Sequence, residues 1–91
     1  MYFNTYFKIM RQIIIKQNDI YQINSEKYFK FTIHGQNYRD YNCDLNKNNS
    51  YELRLILGFC LPEYKKLNKK LNKKQMVSLI LESKCLILEN T

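Results

Sequence analysis

Tyr51, Leu53, Leu55, Leu57, Phe59 and Leu61 stand two residues apart without a break, and Glu52 and Arg54 separate the first three. A β-strand turns successive side chains to opposite faces, so this spacing predicts a strand over 51–61. From Ile56 onward both faces are apolar, which puts the second half of that strand in the middle of a core. Gly58 then reads as a bulge or as the strand's end. Such a strand needs sheet neighbours, and the chain upstream supplies candidates.

Tyr28–His34 alternates, with Phe29, Phe31 and Ile33 on one side and Tyr28, Lys30 and Thr32 on the other. His34-Gly35-Gln36-Asn37 carries turn chemistry, and Tyr38–Leu45 can return antiparallel. Ile20–Ile23 is a further short strand after the break at Asn18-Asp19, and Asn46–Ser50 is a polar loop. At the N-terminus, Tyr2, Phe3, Tyr6, Phe7, Ile9, Met10, Ile13 and Ile14 follow helical spacing. They predict an amphipathic helix through about Gln17 that packs on the sheet. Residues 12–16 also have the composition of a strand.

Beyond Pro62, which suits the first turn of a helix, the stretch Tyr64–Lys74 holds six lysines in eleven residues and no acid. Wound as a helix, it gathers Tyr64, Leu67 and Leu71 on a narrow arc and spreads the lysines over about half the circumference. That helix cannot continue unbroken, because Met76, Val77 and Ile80 fall on the lysine side. A break at Asn72, with Gln75 three residues on, makes a capping box for a fresh helix over about Lys73–Ser83. Cys85–Leu88 reads as a short closing strand or as the last turn of that helix.

The expected fold is therefore α+β. It comprises an N-terminal helix, a small antiparallel sheet of three or four strands, and two C-terminal helices packed on one face. Ninety-one residues make one domain, 1–91, and a chain this short buries only about 60–65% of its unfolded surface. The net charge of +7 favours anionic partners, and most of the excess lies after residue 45. Twelve lysines and eleven asparagines with no alanine point to an AT-rich genome. Lysine abundance is discounted for that reason; its clustering is not. No apolar run reaches the roughly 18 residues of a membrane span, and no secretory leader is evident. Three cysteines without a Cys-x-x-Cys pair read as free thiols in an intracellular, reducing compartment, and argue against a four-ligand zinc site.

Catalysis finds little to work with. His34 with Cys43 could pair across the hairpin, but no third group would orient them. The carboxylates are scattered, and two glycines cannot build a phosphate loop. No metal site, cofactor or enzyme activity is expected. An aromatic-basic sheet face built from Tyr28, Lys30, Tyr38, Arg39 and Tyr41 would offer bases a stacking platform, though tyrosine also fills half-buried sheet positions. The second C-terminal helix is apolar nearly all round and has little with which to enter a DNA groove.

The expected function is binding. Lys65, Lys66, Lys69, Lys70, Lys73 and Lys74, assisted by Lys30 and Arg39, would hold nucleic-acid phosphates without reading sequence, as in an accessory or ribonucleoprotein-type subunit. The alternative is a phage- or mobile-element-encoded inhibitor or regulator that sets the same lysines against an acidic protein surface on a nucleic-acid-handling enzyme. Membership of a larger assembly is a third expectation.

Overall fold

In the structure, a computed structural model, residues 11–33, 36–66 and 70–89 are described. Along them run strands β1 (Ile13–Ile15), β2 (Ile20–Ile23), β3 (Glu26–Ile33) and β4 (Gln36–Asn42), helices α1 (Ser50–Cys60) and α2 (Lys73–Ser83), and strand β5 (Leu86–Leu88). Short 3-10 turns lie at Gln17–Asp19, Leu45–Lys47 and Pro62–Lys66. The strands make an antiparallel sheet ordered β2-β3-β4 and a separate parallel pair, β1 with β5. The α+β class stands. Its arrangement departs from expectation in three places.

The first departure is the largest: 51–61 is helix, not strand. Asn49 caps α1 by accepting from the Glu52 amide at 2.8 Å, and the Glu52 carboxylate accepts from the Asn49 amide at 2.9 Å. Once that box starts a helix, Leu53, Ile56, Leu57 and Cys60 occupy i, i+3, i+4 and i+7 and are fully buried. Tyr51 and Arg54 stay exposed. The two-residue alternation is real in the sequence, but the helical period within it buries a larger face. The antiparallel sheet accordingly has three strands and not four.

Second, the expected N-terminal helix fails over its described part, since Ile13–Ile15 is strand β1. Three consecutive isoleucines favour extended backbone. The decisive partner is remote: Ile13, Ile14 and Ile15 pair with Leu86, Ile87 and Leu88. Residues 1–10, the rest of that expected helix, lie outside the described residues.

Third, no long helix follows Pro62. A 3-10 turn covers Pro62–Lys66, residues 67–69 lie outside the described residues, and 70–72 are not helical. Leu61 and Tyr64 are both buried three positions apart, and a 3-10 turn eclipses i with i+3 where an α-helix would offset them. The second C-terminal helix is as expected, Lys73–Ser83 behind the Asn72–Gln75 capping box. Strand β5 also matches. The two α-helices among the described residues thus flank the lysine-rich stretch; neither carries it whole.

The hairpins explain how the sheet is positioned. Asn24 and Ser25, both with positive φ, make the two-residue turn from β2 to β3. β3 pairs β4 with Phe29 opposite Tyr41 and Phe31 opposite Arg39. On the inner face Phe29 stacks on Tyr41 with centroids 5.5 Å apart, and Phe31 meets the Phe59 ring of α1 edge-on at 4.9 Å. Leu53, Ile56 and Leu57 of α1 and Met76, Leu79 and Ile80 of α2 complete one core.

The join between sheet and helix is a clasp. The buried Asn48 side chain accepts from the Asn42 amide at 2.8 Å and donates to the Asn42 carbonyl at 3.0 Å. It satisfies both main-chain groups of the last β4 residue as a neighbouring strand would. A segment expected only as polar loop is therefore the brace that aims α1.

Candidate nucleic-acid interface

The lysine-rich connector between α1 and α2 is pinned at two points. Tyr64 and Leu71 are both buried, which ties the connector to the core near each end and turns the residues around them outward. Lys65, Lys66, Lys70, Lys73 and Lys74 are all exposed. Lys69 and Leu67 lie outside the described residues. The expected rod with lysines along one side is thus replaced by a 3-10 turn, a connecting stretch and the first turn of α2.

Charge on this stretch is nearly unopposed. Lys66 has Glu63 at 3.1 Å, an exposed pair of little energetic weight. Among the described residues, Lys65, Lys70, Lys73 and Lys74 form no ion pair. Lys73 and Lys74 occupy the first two helical positions of α2, and its first turn holds no acid. Both ammonium groups therefore stand at the positive end of the helix dipole, where a carboxylate would be favoured. An anion approaching there meets two lysines and the helix terminus together.

Lys30 and Arg39 do not join this surface as a pair. Lys30 is opposite Asp40 and Arg39 opposite Phe31, so strand alternation sends them to different faces of the sheet. Arg39 is also already engaged. It lies 3.3 Å from the Glu52 carboxylate and 4.9 Å from the centroid of the Tyr51 ring. Both partners come from the first turn of α1, so Arg39 fastens β4 to that helix.

The aromatic sheet face is different from the one the sequence predicts. Tyr41 is buried in the core, and the side chain of Tyr38 lies outside the described residues. The outer face instead presents Tyr21 stacked with Tyr28, centroids 6.2 Å apart. Carboxylates crowd them. The Tyr21 hydroxyl donates to Asp40, and that of Tyr28 lies 3.5 Å from Glu26. Partial burial and Asp40 push the Tyr21 hydroxyl well above the usual phenol range. Hydrogen bonds from Lys47 and Asn42 hold Glu26 below the usual carboxylate range. Two acids beside two rings oppose a phosphate chain, so this face is a poor stacking platform for nucleic acid.

The thiols fall into two environments. Cys43 is half-buried, and burial raises its thiol; His34, its expected partner, lies outside the described residues. Cys60 and Cys85 are fully buried and close together. Nothing in the spacing of the cysteines marks that pair, because it depends on the C-terminal ends of α1 and α2 meeting in space. The described residues contain no group of three or more His, Cys, Asp and Glu placed to hold a metal ion. Nor is any described helix long and apolar enough to cross a membrane.

Comparison with known protein families, curated proteins and solved structures finds no match. What the connector can bind has to be read from its own chemistry. It offers flexible point charges held on a surface, without the planar forks that would select one base.

Proposed function

We propose that this protein is a small binding module that grips a nucleic-acid backbone through the connector lysines Lys65, Lys70, Lys73 and Lys74, with Lys66 and Lys69 in support. The observation that carries the reading is four exposed ammonium groups without acidic partners among the described residues, on a stretch anchored by Tyr64 and Leu71. Surface lysines that serve solubility alone can sit anywhere. Lys73 and Lys74 stand at the positive end of α2, a position that favours an anion over a cation.

Binding of this kind follows phosphate charge rather than base identity. Each lysine–phosphate contact releases counterions, so affinity falls steeply with salt. A gel-shift or anisotropy titration of the full chain on unrelated single-stranded and duplex oligonucleotides, across salt concentrations, tests it. Replacing Lys65, Lys70, Lys73 and Lys74 with Gln should weaken binding to all sequences alike. The slope of log K against log salt should flatten by roughly 3 to 4 on duplex DNA, about 0.9 per lost contact. An unchanged slope removes the reading. Retention of a protein partner after nuclease treatment, lost in the same variant, would transfer the connector to an acidic protein surface instead.

A further inference from the structure

Cys60 is the last residue of α1, and Cys85 follows the left-handed C-cap Lys84 that ends α2. They are 25 residues apart in sequence, yet the Cys60 sulfur lies 3.5 Å from the Cys85 carbonyl oxygen. Both are fully buried in the same core, and neither is bonded to another cysteine. Ser83 completes the cluster. Its hydroxyl donates to the Leu79 carbonyl at 2.7 Å, and its oxygen lies 2.8 Å from the Cys85 sulfur.

The two sulfurs are chemically unequal. The nearby Cys85 thiol, together with burial, holds the Cys60 proton well above the usual thiol range. The same contact with Cys60 shifts the Cys85 thiol down, which makes it the more acidic of the two. The better nucleophile and its resolving thiol are therefore in place before any oxidant arrives.

We propose that Cys60 and Cys85 form an oxidation-sensitive dithiol, a modification site at which peroxide converts two packed thiols into an intramolecular disulfide. The Cys85 thiolate attacks one peroxide oxygen; the O–O bond breaks, and the other oxygen leaves as water after taking a proton. Cys85 is then a sulfenic acid. The Cys60 sulfur attacks the Cys85 sulfur, the S–O bond breaks, and a second water departs with the Cys60 proton. Two thiols and one hydrogen peroxide become one disulfide and two waters. Hydrogen peroxide is small enough to enter when β5, a strand of three residues, opens locally. The inference is independent of the nucleic-acid reading.

Cys43 supplies the internal contrast, since it is the most accessible thiol and has no neighbouring sulfur among the described cysteines. The full chain is treated with hydrogen peroxide in native buffer. Remaining thiols are alkylated under denaturing conditions, and non-reduced peptides are mapped by mass spectrometry. The expected product is a Cys60–Cys85 cross-linked peptide pair that disappears with dithiothreitol, and it should form equally in Cys43→Ser. Its melting temperature should exceed that of the reduced chain by about 5 °C or more, as expected when a long loop is closed. Recovery of Cys60 and Cys85 as alkylated thiols while Cys43 is oxidised would overturn the proposal. So would disulfides that involve Cys43, or a Cys60–Cys85 link that forms only in urea.

Discussion

The two helices begin in the same way and in opposite electrostatic surroundings. Each opens on an asparagine whose side chain accepts from the third helical amide, and each has an amide or carboxylate at that third position returning the bond. At α1 the returning group is Glu52, an acid at the positive end of the dipole, and Arg39 lies against it. At α2 it is the neutral Gln75, and the first two residues are lysines. The capping geometry is constant, so the difference in charge is what distinguishes the two starts. α1 is internally saturated and serves the fold. α2 begins with positive charge that nothing among its described neighbours neutralises, at the end of the dipole where an anion is favoured.

The contrast can be attacked from its strongest side first. Asn48→Ala removes the clasp that precedes α1 and strands a buried amide and carbonyl of Asn42. A loss of about 2–4 kcal/mol in urea unfolding is expected, a large fraction of the stability of a chain this size. Next come the caps themselves. Asn49→Ala and Asn72→Ala should each cost about 1 kcal/mol, since the two boxes have the same geometry. Clearly unequal losses would mean that more than charge separates the two starts. The smallest effect on stability is the most telling one. Lys73→Glu with Lys74→Glu should stabilise the free protein by roughly 0.5–1 kcal/mol through the dipole, while it abolishes the oligonucleotide shift. Thermal melts and a binding titration on the same sample would read both. A variant that gains no stability breaks the comparison at its root.

What could be read from the chain divides along a physical line. α2 was legible because its evidence is local: a phase break at Asn72, a capping residue, and Gln75 three positions on. The β3–β4 hairpin was legible for the same reason, with alternation and a turn side by side. The region 51–61 satisfies two periods at once. Leu53 and Leu57 belong to both, and only Ile56 and Cys60 tip it to a helix. The Asn49–Glu52 box is the deciding signal, and in the sequence it overlaps the end of a polar loop. The strand composition of residues 12–16 is visible in the sequence, but the pairing of β1 is not, because its partner lies more than seventy positions away.

The same division governs the candidate site. Connector lysines could be named from the sequence, since exposure of charged residues is the rule. Their layout could not, because the 3-10 turn is set by the joint burial of Leu61 and Tyr64. Arg39 is engaged for a reason that depends on the same region. Tyr51 and Glu52 reach it only from the first turn of a helix, so the choice of period over 51–61 also decides whether this cation is free. The Cys60–Cys85 contact belongs to the same class of facts, visible only after the C-terminal ends of α1 and α2 are in place.

The parallel pairing of β1 with β5 also sets an order of events during synthesis. Ile13–Ile15 emerges from the ribosome early and stays without its hydrogen-bonding companion until Leu86–Leu88 follows. Every chain halted before that point presents an isoleucine-rich edge to its surroundings, an invitation to chaperones or to aggregation.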